Sequence, residues 1–249
     1  MINIKLPKLY SSTGLMITKR LFFLIFIAAC ATQFAQAQGT HTSKTPSATQ
    51  KPTSKFENNL LPFIAIQYEF VTVQFKFPRQ SFFDNGYIPS LWGFSGGVSY
   101  TLVHSNDMFS VCPQAAIAGN IQIVPNSGIA YLVQVPVSIM GRIGAGATPF
   151  NSQRFGLAIG AGINTGYLNY PFRYQDATTN NVYNSKLSSL LITPQILFEV
   201  LWRTGGTVSS VQIHADLSPA TSKWEPGRGV GTVPILLSNF GLKYIYYLK

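Results

Sequence analysis

From residue 60 onward the chain repeats one pattern, in which apolar side chains alternate with small or polar ones over runs of about 11–16 residues. A period of two belongs to an extended strand whose two faces meet different surroundings. Length narrows the choice further. Strands of soluble proteins average about five or six residues, whereas a tilted strand that crosses hydrocarbon needs about 9–11. Tyr131, Val133, Val135, Val137 and Ile139 alternate with Leu132, Gln134, Pro136, Ser138 and Met140, with Arg142 next in the second phase. Phe155 to Tyr167 interleaves large side chains with Gly156, Ala158, Gly160, Gly162, Asn164 and Gly166. Runs at 190–203, 211–217 and 240–248 behave alike, and those at 91–104 and 108–123 follow less cleanly. The run at 63–77 changes phase near Phe70-Val71, which predicts a bulge or the edge of a bilayer there.

The connections carry a second pattern. Ser105-Asn106-Asp107 and Thr204-Gly205-Gly206 are tight turns, and 144–153 is a longer one. The links on the other side are 78–90, 124–129, 169–186 and 218–232, and of these only 124–129 is short. Short turns at one end and long loops at the other are the asymmetry of membrane barrels, with the short turns in the periplasm. The expected fold is all-β, an eight-stranded antiparallel up-and-down transmembrane β-barrel with both termini periplasmic.

Composition agrees. Charged residues make up 10% of the chain, against about 25% in soluble domains. The 18 Phe and 12 Tyr suit strands and membrane interfaces. The formal charge of +10 includes Lys5, Lys8, Lys19 and Arg20, so the chain beyond residue 37 carries about +6. These cations form no run or stripe, so nucleic acid is not an expected partner and anionic lipid is.

Residues 1–37 read as a signal peptide: Lys19-Arg20, an apolar run from Leu21 to Ala31, and Ala35-Gln36-Ala37 as the cleavage site. Met16 offers an alternative start. Ile27-Ala28-Ala29-Cys30 offers an alternative processing route, with Cys30 lipidated. Residues 38–59, rich in Thr, Ser, Lys, Gln and Pro, read as a disordered periplasmic linker, and 60–249 as the barrel. Cys112 then stands alone as a small strand residue.

In this register the polar phase faces the lumen. It holds Glu69, Glu199 and Asp216 with Arg142, Arg203, Lys243 and His214. Buried charges need partners, and eight strands leave room for little besides side chains. A salt-bridge network filling the lumen is therefore expected, and an open pore is not. His214 and Asp216, with Ser210 in the same phase, also allow a lipid-modifying site on paper, but nothing marks Ser210 as a nucleophile. No catalytic residue, metal or cofactor is assigned, and the expectation is a protein that is not an enzyme. The alternating glycines fit no nucleotide loop; they are expected to make room for long side chains from across the lumen. Trp92, Tyr131, Tyr167, Trp202, Tyr244 and Tyr246, with Tyr100, lie near strand ends in the outward phase, where aromatics form interfacial girdles.

Residues 131–168 contain Gln134-Val135-Pro136-Val137, Gly144, the run Phe155-Gly-Leu-Ala-Ile-Gly-Ala-Gly162, and Gly166-Tyr167. This stretch resembles the Bacteroidota outer-membrane barrel domain of the PorT-like and OmpA/OmpX-like kind, and the Ala-Gln-Ala-Gln end of the leader is similar. The resemblance extends over about residues 60–249 and concerns architecture. It implies a terminal aromatic residue, whereas here Tyr246-Tyr247-Leu248 is followed by Lys249. It also implies a place in the outer membrane among lipid, lipopolysaccharide and other envelope proteins. The expected role is structural or partner-binding; the alternatives are a component of a secretion or envelope-assembly machine, a lipid-modifying barrel enzyme, or a narrow channel.

Overall fold

Eight strands close on themselves in a ring. The computed structural model describes residues 4–5, 59–75, 84–105, 108–148, 151–176, 182–224 and 233–248. In chain order the barrel strands are β1 (Leu60–Phe75), β2 (Asp84–Tyr100), β3 (Phe109–Val124), β4 (Gly128–Gly144), β5 (Phe155–Asp176), β6 (Val182–Thr204), β7 (Thr207–Asp216, resuming as Ala220–Trp224) and β8 (Val233–Tyr247). Each pairs antiparallel with the next, and β8 returns to β1 from Phe63↔Tyr247 to Phe75↔Ile235. The expected leader and linker lie outside the described residues, apart from Asn59 and a two-residue ladder of Ile4–Lys5 with Gln175–Asp176.

Turn chemistry sets two registers. Gly205 and Gly206 both have positive φ (59° and 109°), as a two-residue hairpin turn of type I′ demands. Pro125-Asn126 joins β3 to β4, with Asn126 at φ 60° and Ser127 N–H donating to the Val124 carbonyl at 3.1 Å. Proline followed by a residue tolerant of positive φ is the type II arrangement.

Two details differ from the sequence reading. The phase change expected within 63–77 is absent: Leu61, Phe63, Ala65, Gln67, Glu69, Val71 and Val73 all point inward. The bulge expected near Phe70-Val71 is present as a register slip between Glu69 and Val71, with the extra residue on β2, where Ile88, Ser90 and Leu91 are all buried. Pro89 lies there, and a proline without an N–H is tolerated where the ladder is already broken. The strands also run further than the alternation suggested. β5 continues to Asp176 and β6 starts at Val182, so most of the expected link 169–186 is a hairpin. Ala220–Trp224 likewise is strand, and β2 starts at Asp84. Beyond the bilayer a strand's outer face no longer needs apolar residues, so the pattern used to find strands fades before the ladder does.

The two faces differ in kind. Outward side chains such as Ile117, Ile123 and Ile139 are 67%, 78% and 62% exposed, and such residues recur around the ring. A soluble surface rarely carries contiguous apolar area on this scale; hydrocarbon accounts for it. Phe155 and Tyr167 bracket the apolar run on β5, twelve residues apart. That is roughly 40 Å along the strand and about 30 Å along a tilted barrel's axis, close to the hydrocarbon thickness. The chain is a transmembrane β-barrel.

The lumen is layered. One apolar cluster fills the end beside the long hairpins, with Leu91, Leu132, Leu168, Leu187, Leu191 and Leu237 among its members. A second fills the end where β1 begins and β8 ends, with Phe63, Cys112, Met140, Leu201, Val208 and Tyr247. Ala145 and Ala147, from the link after β4, are fully buried there, and a Cβ on Gly146 would press on Leu201 and Val208. That link is therefore tucked into the mouth of the barrel. Most of the polar and charged inward residues lie between the clusters.

Candidate functional site

Three polar groupings in the lumen are built by one rule. On adjacent strands, the middle residue of a cross-strand row is very small, and the side chains on either side meet over it. Glu69 on β1 and His214 on β7 both pair with Gly241 of β8. His214 Nε2 lies 2.9 Å from Glu69 Oε2, and Asn239 Nδ2 donates to the same oxygen at 2.9 Å. Any Cβ at Gly241 would strike both the imidazole and the carboxylate. Gln67 and Asn120 flank Gly93, and Gln67 Nε2 donates to Asn120 Oδ1 at 2.8 Å. Asn120 Nδ2 then donates to Gln134 Oε1 at 3.1 Å.

The third row is Arg142, Ala158 and Glu199 on β4, β5 and β6. Arg142 Nη2 approaches Glu199 Oε2 at 3.6 Å and donates to Tyr247 Oη at 2.6 Å. The Tyr247 hydroxyl donates in turn to Glu199 Oε1 at 2.7 Å, and Ser210 Oγ donates to that same oxygen. Arg142 and Glu199 are fully buried. The phenol thus relays between an arginine and a glutamate too far apart for an ideal direct bond.

The remaining predicted residues fall in different places. Lys243 is inward and buried beside Gln212, lining a cavity of about 10 Å³ with Phe63, Gln114, Ser138 and Leu197. Asp216 is half-buried at the interruption of β7. It accepts from Thr193 Oγ1 at 2.8 Å and from the Asn239 backbone N–H at 2.7 Å, so it satisfies backbone that the interrupted strand leaves open. Arg203 lies outside the three rows: its Nη1 donates to the Gly206 carbonyl at 3.3 Å, bracing the β6–β7 turn. Ser210, His214 and Asp216 share a strand, but their side chains bond to Glu199, Glu69 and Thr193 respectively. Among the described residues no group of three or more His, Cys, Asp or Glu gathers as for a metal ion.

Of the outward aromatics, Tyr131, Tyr167 and Tyr246 are exposed and Trp92 and Tyr244 partly so. The Tyr131 and Tyr167 rings lie 6.3 Å apart. Trp202 differs from expectation: it is fully buried, its ring 6.0 Å from that of Tyr244. Trp92 stands 4.2 Å from Tyr68, which stands 4.5 Å from Phe70. Tyr68 and Phe70 were missed because the supposed phase change on β1 hid their direction. Tyr247, Asn239 and Asn120 were also missed. Their inward phase was legible, but their partners lie across rows that only register defines. The glycines make room as expected, though for neighbours and not for side chains from across the lumen. A Cβ at Gly160 or Gly162 would strike Met140 or Ser138, their direct cross-strand partners.

No protein-family model matches the sequence, and comparison with curated proteins finds no match. Among solved structures, the chain is similar to Ail, the attachment invasion locus protein of Yersinia pestis, at 10% identity and a TM-score of 0.37, covering 75% of this chain and 98% of that one. It is similar to Neisserial surface protein A at 8% identity and a TM-score of 0.36, covering 74% and 96%. It is also similar to the outer membrane protein OprG of Pseudomonas aeruginosa at 12% identity and a TM-score of 0.37, covering 78% and 99%. The fold assignment rests on the closed ladder and the apolar outer face.

Proposed function

We propose that this protein is an integral barrel of a bacterial outer membrane, with a sealed lumen and a structural or partner-binding role. The observation that carries the reading is the filling of the lumen. Two apolar clusters stand at either end of a polar belt, and the Arg142–Glu199–Tyr247 group is set within the second of them. The cavity beside Lys243, about 10 Å³, has room for about one water. Among the described residues, an interior filled in this way passes no hydrated solute. The mouth where β1 begins and β8 ends faces the periplasm in this reading, and the β5–β6 hairpin faces outward; the extension of β5 beyond the Tyr167 level supports that orientation. The motifs at 134–137 and 155–162 support a place among the Bacteroidota barrels of the PorT-like and OmpA/OmpX-like kind. The test is electrical. Purified, folded protein in planar bilayers should leave the baseline unchanged, and sustained single-channel steps would overturn the sealed lumen. Orientation is checked separately: Lys223→Cys should react with a membrane-impermeant thiol reagent on intact cells.

A further inference from the structure

We infer that the outer half of the β6–β7 junction is a lipid-binding seam, which takes the anionic head group and first methylenes of a membrane lipid. The inference rests on the membrane reading above. The β6–β7 ladder runs from Thr204↔Thr207 to Gln195↔Asp216 and stops. One further bond follows, from the Leu217 N–H to the Pro194 carbonyl at 2.8 Å. β7 then breaks over 217–219 and resumes as Ala220–Trp224, which among the described residues is laddered to β8 alone. Above Pro194, β6 is laddered to β5 alone. Two strands of a closed barrel thus lie side by side without a ladder.

The direction of the loose backbone follows from alternation. Pro194 turns its carbonyl toward β7, so Ile192, Leu190 and Ser188 turn their backbone groups the same way. One of these is satisfied locally, since Ser189 Oγ donates to the Leu190 carbonyl at 3.2 Å. Hydrocarbon cannot satisfy the others. Leu190 pairs with Tyr167, so the seam opens at the level of the interfacial aromatics, where head groups begin.

The side chains around the seam suit an amphiphile. Leu190, Ile192 and Leu217 flank it outside at 60%, 59% and 62% exposed, a surface for methylenes. Lys186 and Lys223 are exposed on its two sides and can meet a phosphate. Asp216, at its foot, is turned to Thr193 and Asn239 and does not oppose them. A phosphate oxygen accepts hydrogen bonds from backbone N–H groups as well as from lysines.

Hydrogen–deuterium exchange tests this on the full chain in nanodiscs of phosphatidylcholine, with and without phosphatidylglycerol. In phosphatidylcholine, 186–194 should exchange faster than 196–203. Phosphatidylglycerol should slow 186–194 by about fivefold or more, and the double variant Lys186→Ala/Lys223→Ala should lose that slowing. Heat-modifiable migration on gels shows whether each variant is folded. Equally slow exchange of both segments in phosphatidylcholine would mean a zipped wall and overturn the inference. So would the absence of any phosphatidylglycerol effect, the same protection from inorganic phosphate alone, or protection that requires a second protein's strand. Bilayer recordings are independent of these outcomes, so failure of the seam and failure of the sealed lumen are distinguishable.

Discussion

The rows Glu69–Gly241–His214 and Arg142–Ala158–Glu199 have the same plan and different tolerances. In the first, a glutamate carboxylate and a rigid imidazole meet directly above the backbone, so the middle residue must lack even a Cβ. In the second, a long guanidinium and a glutamate arch over an alanine methyl, and the Tyr247 hydroxyl closes the remaining gap. The chemistry differs as well. Histidine can meet its partner as a neutral ring, whereas arginine keeps its charge in any protein environment. Burying the second row is therefore safe only while Glu199 remains.

The largest expected effect comes from Gly241→Val. Its side chain would separate Glu69 from His214 and leave a buried carboxylate poorly matched, a cost of about 3–5 kcal/mol, with overpacking adding about 1–3 kcal/mol. The variant should not show the heat-modifiable band of a folded barrel; a wild-type urea midpoint would end the argument for a steric gap. Next is a paired comparison. Glu199→Leu strands the Arg142 charge and should cost about 3–5 kcal/mol. Glu69→Leu leaves a histidine and the buried Lys243, side chains whose charge, unlike arginine's, is not permanent, and should cost about 1–3 kcal/mol. Equal shifts of the urea midpoint in lipid vesicles would erase the distinction between the rows. Tyr247→Phe removes the relay and should cost about 1–2 kcal/mol by the same measurement. The smallest change is expected from Ala158→Gly, about 0.5–1 kcal/mol, because that row already clears a methyl group. A larger loss would show that the alanine packs as well as spaces.

Some of this was legible beforehand. Strand phase placed Arg142, Glu199, His214 and Lys243 inside, because alternation reports facing directly. The Gly205-Gly206 turn also sets the β6–β7 register, so Glu199 opposite Gln212 and beside Ser210 could have been read from turn length alone. Arg203 and Asp216 have the same phase as the network, yet they serve a turn and a strand break. Phase says which side a residue faces and nothing about how far along the barrel its bonding partners lie. The hairpin of 169–186 was lost for a related reason: outside the bilayer one face of the alternation disappears while the backbone ladder persists.

The sequence by itself determined the period, the strand count, the Gly205-Gly206 turn and, on most strands, which face points outward. All of these follow from neighbours within a few residues and from the need to present hydrocarbon outward. Tertiary structure alone decided which polar groups of strands far apart in the chain meet. Arg142 and Tyr247 are 105 residues apart and Asn239 and Glu69 are 170 apart. Ring closure sets both distances, because the last strand must pair with the first at one register. It decided equally where that ring stays incomplete, at Leu217–Pro219, since a strand break matters only through the neighbour it fails to reach.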